Sequence, residues 1–440
     1  MQYIDDTINK WGMENLVVYS MGKQNNNSHL KDFGDPEAVI GPPGSIANEF
    51  HSISEIEEGL RNEILNRIRQ QGFKLSPDNK IEAFDMESKD LIRKVHAPAK
   101  AERLIENKKF LAKNEDKLIR FFASGKEIEI ENFRARIEVV ASGTIESDLF
   151  RYATLLWSVP VSNGFGRRVK FLVWDENIGK LVGIFALGDP VFNLACRDNL
   201  IGWDWNTRCK HLYNVMDVFI LGAVPPYNRL LGGKLVAMTA TSNEVRNIIR
   251  KRYSKSTTVI TKEEKDSRLA LLTTSSALGK SSLYDRIKYR DIKLFNKIGC
   301  TEGYGHFHLN NGLFEEMRHY LDIVSPGMAS KYRFGNGPNW KMRTARNCLN
   351  KLGLPGDLLK HGIKREVYAI PLARNYAEFL RGDSRKLDQI DIPFNDVVDF
   401  WKERWLYGRV ERVPDYLSFE NVSIRSLVRG SDERNLEDGT

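Results

Sequence analysis

Residues Met216–Ala240 read MDVFILGAVPPYNRLLGGKLVAMTA, and this stretch decides the fold class. An apolar, β-branched run ends in Pro225-Pro226, and Arg229, Gly232 and Gly233 then lead straight into a helical pattern. Small residues let a backbone approach a ligand, and the first N–H groups of a helix are donors without an intrahelical partner. A phosphate is the guest that such a turn suits. Arg229, Gly232, Gly233 and Lys234 are therefore the candidate cofactor-binding residues.

Outward from this unit the pattern is mixed α/β. Arg168–Trp174, Leu181–Leu187, Val215–Val224 and Leu269–Ser275 are strand-sized apolar runs bounded by turn residues. Leu230 to Arg252 reads as one long amphipathic helix, Ser282–Lys288 as a short one and Gly305–Leu309 as a further strand. Upstream, Ser54-x-x-Glu57 can start a helix that Gly72 ends, and two further helices flank Pro98. Downstream, Met342–Leu352 and Asn395–Arg404 read as helices and Arg365–Ile370 as a strand. The expected organisation is an arm over 1–50, a helical domain over 51–150, and a mixed-sheet core over 151–325. A basic α+β extension over 326–425 and a disordered tail over 426–440 complete it.

Hydrophobic residues are 41% and charged residues 28% of the 440, which excludes a wholly disordered or fibrous chain. No run approaches the roughly 20 apolar residues of a spanning helix, and no basic-then-apolar leader opens the chain, so a cytoplasmic protein is expected. Cys196, Cys209, Cys300 and Cys348 stand far apart, so neither a zinc site nor a disulfide framework is indicated. The net charge of +8 is concentrated: Lys331 to Lys386 holds thirteen Lys/Arg against four acids. Tyr332, Phe334, Trp340 and Tyr368 are interleaved with them. Cations that neutralise phosphates beside aromatic rings that stack on bases are the footprint of nucleic-acid contact, and DNA is the expected partner. Lys341, Arg343, Arg346, Lys364 and Arg365 are the candidate contacts; a solvated basic face is the bland reading.

The Arg229–Lys234 loop resembles the pyrophosphate loop of the GCN5-related N-acetyltransferases (GNAT). The strand, helix and Ile298-Gly299 pair of Leu269–Leu309 resemble the second half of that fold. The resemblance implies an acetyltransferase-like core with acyl-CoA as cofactor and Tyr284 where a general acid often lies. The spacing departs at one point: Lys234 stands where the family pattern wants a second glycine. Glu302 and His306 are further catalytic candidates, because Glu302 precedes His306-x-His308 on what reads as one strand face. Strand-end carboxylates Asp175 and Asp189 with Glu302 leave a metal-dependent nuclease open, although no metal-ligand spacing supports a metal site.

A longer resemblance runs through Trp157–Val161, Gly164–Arg168, Phe171–Asp175, Gly188–Leu194, Ile201–Trp203, Gly222–Asn228 and Leu231–Leu235. It continues in Thr273–Ser282, Tyr284–Arg286 and Gly299–Phe307. This ordered set resembles the DruA family, the A component of Druantia anti-phage defence systems, over about residues 55 to 380. The resemblance implies an antiviral defence protein acting with a very large helicase-like partner, DruE, and it implies no catalytic residue. A nucleic-acid-binding subunit is the first expectation. An acyltransferase-like or nucleic-acid-modifying enzyme is the alternative, and the nuclease a second one.

Overall fold

The computed structural model describes residues 46–82, 88–161, 166–254, 266–309, 311–326 and 340–430. Most of the expected arm, the last ten residues, and Lys331, Tyr332, Arg333 and Phe334 lie outside them.

Among the described residues three helices come first: α1 (Ile46–Gln70), α2 (Lys89–Glu106) and α3 (Lys108–Ile119). Two differ from the sequence reading. Helix α1 already runs before Ser54, and Glu57 accepts a hydrogen bond from the Tyr320 hydroxyl at 2.8 Å instead of closing a capping box. Helix α2 passes through Pro98, because Ile92, Val95, His96 and Lys100 are buried on either side and tertiary packing outweighs the lost backbone bond.

Then come β1 (Ala135–Val139), α4 (Ile145–Ala153), the hairpin β2 (Arg168–Asp175) and β3 (Lys180–Gly188), and two short helices, α5 (Ala195–Ile201) and α6 (Trp205–His211). Strand β4 (Val215–Ala223) leads through the Pro-Pro turn into α7 (Gly232–Thr239) and α8 (Asn243–Tyr253). The single helix expected over Leu230–Arg252 is thus two. The Thr241 hydroxyl donates to the Met238 carbonyl, and the Ser242 hydroxyl accepts from the Val245 N–H, so side chains satisfy the backbone groups where the helix breaks.

Strand β5 (Leu271–Ser275), α9 (Ser282–Asp285), the small hairpin β6 (Lys288–Tyr289) and β7 (Ile292–Lys293), and β8 (Asn296–Cys300) follow. Next are α10 (Asn311–Val324), α11 (Trp340–Lys351), β9 (Glu366–Pro371), α12 (Tyr376–Arg381) and α13 (Phe394–Trp401). Helices α14 (Tyr407–Arg412) and α15 (Ile424–Arg429) end the described chain. The expected strand at Gly305–Leu309 is a turn, closed by Leu309 N–H on the His306 carbonyl at 3.0 Å, so His306 and His308 share no strand face. Of the tail expected over 426–440, residues 426–430 are ordered at the end of a helix and the rest lies outside the described residues. Helix α15 buries Leu427 and Val428, and Arg429 grips Glu115 with two nitrogens at 2.8 and 2.9 Å.

The result is mixed α/β: a seven-stranded sheet in the order β1-β2-β3-β4-β5-β9-β8, antiparallel throughout except for the parallel pair β4 and β5. One face packs on α7, α8 and α13 through Phe171, Phe185, Met216, Val236 and Trp401. The other packs on α3, α4 and α15 through Leu172, Ile184, Leu118, Phe150 and Leu427. A third core joins Ile64 and Ile68 of α1 and Ile92 of α2 to Phe314 of α10 and Cys348 of α11. The helices read as an N-terminal unit therefore share their cores with later segments.

Candidate functional sites

The parallel pair β4 and β5 stays in register only from Val215 with Leu271 to Asp217 with Thr273. Beyond it the strands part. Val224 N–H donates to the Val182 carbonyl at 2.9 Å, so the alternate residues Leu221 and Ala223 turn their main-chain groups away from β3 and into the opening. A cleft of about 160 Å³ fills that opening, with Leu221, Ala223 and Gly233 on one wall, Ser276, Lys280, Ser281 and Tyr284 on the other, and Trp157 nearby.

Tyr284 sits in this cleft. Its ring stacks on Phe295 with centroids 4.9 Å apart and meets Tyr368 edge-on at 5.2 Å. Burial pushes its hydroxyl up to about 12, against a hydrogen bond with Thr274, so the phenol keeps its proton at neutral pH and has the state of a proton donor. Glu302 and His306 do not line the cleft. Glu302 is exposed in an open groove between α5 and β8, with Cys196, Lys297 and Cys300. His306 meets Phe314 edge-on, and burial, then Lys341, lowers its imidazole to about 4.

The four loop residues diverge. Arg229 turns towards the C-terminal segment, where it donates to the Asp415 carbonyl at 3.0 Å. Gly232 N–H is spent on the Tyr227 carbonyl at 2.8 Å, and a Cβ at Gly232 would stand 2.7 Å from that oxygen, so glycine is needed for the turn itself. Gly233 borders the cleft, and Lys234 is buried with its ammonium over the Trp405 ring at 4.8 Å.

Asp175 and Asp189 lie at opposite ends of the β2–β3 hairpin, since Asp175 pairs with Lys180 and Arg168 with Gly188. Seven residues of strand separate the two ends, roughly 23 Å. Asp175 accepts from the Tyr227 hydroxyl at 2.8 Å and is raised to about 6 by burial; Asp189 pairs with Arg167 at 2.7 Å. Among the described residues no three His, Cys, Asp or Glu side chains gather as a metal site.

In the basic segment, α11 carries no acid, and Arg343 and Arg346 stand on its exposed face. Arg346 donates to the hydroxyl of Tyr304, itself 43% exposed, at 2.9 Å. Lys364 is exposed. Lys341 is half-buried over Phe314 at 5.0 Å. Arg365 turns inward to His96, and Tyr368 is fully buried in the sheet, so neither belongs to this surface. Tyr304 escaped the sequence reading because it lies outside the segment where the charge concentrates. The cleft-facing main chain of Leu221 and Ala223 has no side-chain signature at all.

A family profile described as Druantia protein DruA matches residues 86–382. The chain belongs to the DruA family. It is 44% identical over 361 residues to the Druantia protein DruA of Escherichia coli (strain UMEA 4076-1), covering 82% of this chain and 89% of that one. DruA proteins are components of Druantia anti-phage defence systems. No solved structure matches the chain. The DruA match spans every strand, since β1 through β9 all fall within residues 86–382. Among the described residues no helix is long and apolar enough to cross a membrane.

Proposed function

We propose that this chain is the nucleic-acid-binding subunit of a Druantia system, acting in the cytoplasm on DNA beside the helicase-like partner DruE. The acid-free exposed face of α11 carries the reading. Arg343, Arg346 and Lys364, all exposed, present cations to phosphates, and Tyr304, bonded to Arg346, presents a ring to a base. Binding of the full chain to labelled single- and double-stranded DNA and RNA, across a salt series, tests it. Affinity that falls steeply with salt and is lost in Arg343→Ala/Arg346→Ala/Lys364→Ala supports the reading; binding that is absent, or indifferent to the substitutions, refutes it.

A second reading rests on the parting of β4 and β5. An acetyltransferase-like core would place the extended, amide-bearing arm of acyl-CoA along the main chain of Leu221 and Ala223, with Tyr284 as proton donor. Acetyl-CoA then raises the unfolding temperature of the native chain and not of Ala277→Trp, in which a bulky ring enters the cleft. No shift with acetyl-CoA removes this reading and leaves the first intact.

A further inference from the structure

The first turn of α7 is held against two distant segments. The Trp401 indole donates to the Leu231 carbonyl at 3.0 Å, which locks the end of α13 and the turn after it onto the start of α7. A Cβ at Gly233 would lie 3.6 Å from Leu283, so α9 abuts the same turn from the other side. The segment after α13, Lys402–Leu406, is a π-helical turn, a local widening that re-aims side chains and recurs at functional sites. It carries Arg404 and Trp405; the residue after α9 is Arg286.

Lys234, between these two segments, is 8% exposed. Its ammonium lies over Trp405 and is paired with no carboxylate or carbonyl oxygen among the described residues. Burial first, then Arg286 and Arg404, hold it below the ordinary lysine range, so both guanidiniums lie within electrostatic reach. Both arginines are exposed, and neither makes an ion pair among the described residues. A buried ammonium beside two cations is costly unless an anion enters among them. By contrast, the buried Arg197 is gripped by Asp198, and the buried Glu115 by Arg429.

We propose that Lys234, Arg286 and Arg404 form a pocket for the phosphate group of a small phosphorylated ligand, a nucleotide or pyrophosphate. The buried Lys234 ammonium selects a terminal phosphate that reaches inward, and the two arginines close on its remaining oxygens from the surface. A nucleic-acid backbone, whose phosphates are held in line by the sugars on both sides, does not present such a group. Such a pocket does not require an acyl group in the cleft.

The test follows thermal unfolding of the full chain with inorganic pyrophosphate, with ADP, and with adenosine, and measures the two affinities by calorimetry. Pyrophosphate and ADP raise the unfolding temperature with concentration while adenosine does not. Arg286→Gln/Arg404→Gln, which alters only exposed side chains, weakens binding roughly tenfold or more. Binding of ADP with pyrophosphate ineffective assigns the pocket to nucleotides; binding of both with equal affinity assigns it to the phosphates alone. No response to either phosphate compound, or a response that the double variant keeps, overturns the proposal. So does a loss of nucleic-acid binding in the double variant, because the cations would then serve a polymer.

Discussion

The guanidinium of Arg365 donates to Nε2 of His96 at 3.1 Å, a contact between residues 269 positions apart in the chain. Arginine has no lone pair to offer, so Nε2 is the acceptor and the imidazole carries its proton on Nδ1. Around this pair, Phe307 packs between His96 and His361, with ring centroids at 4.2 and 4.8 Å, and the His308 ring is hydrogen-bonded to the Leu358 carbonyl.

These buried imidazoles make stability depend on pH. Burial lowers His96 and His361 to about 3 and His308 to about 4, with Arg365 adding to the shift in His96. The unfolded chain titrates the same groups near 6.5 and so binds more protons as pH falls below that value. The contribution is complete above about pH 6.5 and declines below it, by about 1.4 kcal/mol per histidine at pH 5.5 and about 4 for the three together. Urea unfolding at pH 7.5 and 5.5 measures it; a midpoint unchanged between the two would refute the assignment.

The salt dependence of nucleic-acid binding separates positioning contacts from bystanders. Each lost phosphate contact lowers the slope of log affinity against log salt by about 0.7 for a single strand and about 0.9 for a duplex, so the triple variant of Arg343, Arg346 and Lys364 loses roughly 2 to 3. Arg385→Ala, outside the α11 surface, is expected to leave the slope unchanged.

Asp198 holds two arginines. Its Oδ1 accepts from Arg197 at 2.6 and 2.8 Å and its Oδ2 from Arg208 at 2.8 Å, while Arg197 is fully buried and also donates to the carbonyls of Val191 and Phe192. Asp198→Ala leaves a buried guanidinium without its counter-charge and costs about 3–5 kcal/mol. Denaturant unfolding is expected to show this loss, with Asp204→Ala, which removes only the cap of α6, costing about 1.

Gly183 lies where β3 passes under α7. An added Cβ would stand 2.5 Å from the Gly222 carbonyl oxygen and 2.6 Å from a methyl of Val236. Gly183→Ala therefore forces helix and strand apart and destabilises the chain by about 1–3 kcal/mol. Gly179→Ala, at a turn with open space around it, loses only the φ of +64° and tests backbone strain without overpacking.

The chain's own chemistry made the sheet legible. Apolar runs of strand length, bounded by turn residues, placed β2, β3, β4 and β5 within two residues of their ends, because a strand buried on both faces must be continuously apolar. The order of motifs was enough to recognise the DruA family. The breaks were harder to read: the Thr241-Ser242 interruption and the passage of α2 through Pro98 depend on hydroxyl caps and on packing partners far away in sequence.

What the sequence determined by itself was composition, the location of positive charge, and the strand–turn–helix unit at Met216–Ala240. Only the tertiary structure decided which charges face outward. Arg343 and Arg346 share a helix face and remain exposed, whereas Arg365, next to exposed Lys364, follows the alternation into β9 and meets His96. Likewise Arg229 and Lys234, five residues apart, are carried in different directions by the turn between them, one to the Asp415 carbonyl and the other to the Trp405 ring. The direction of a side chain is set by the elements packed around its backbone, and that information is spread over the whole chain.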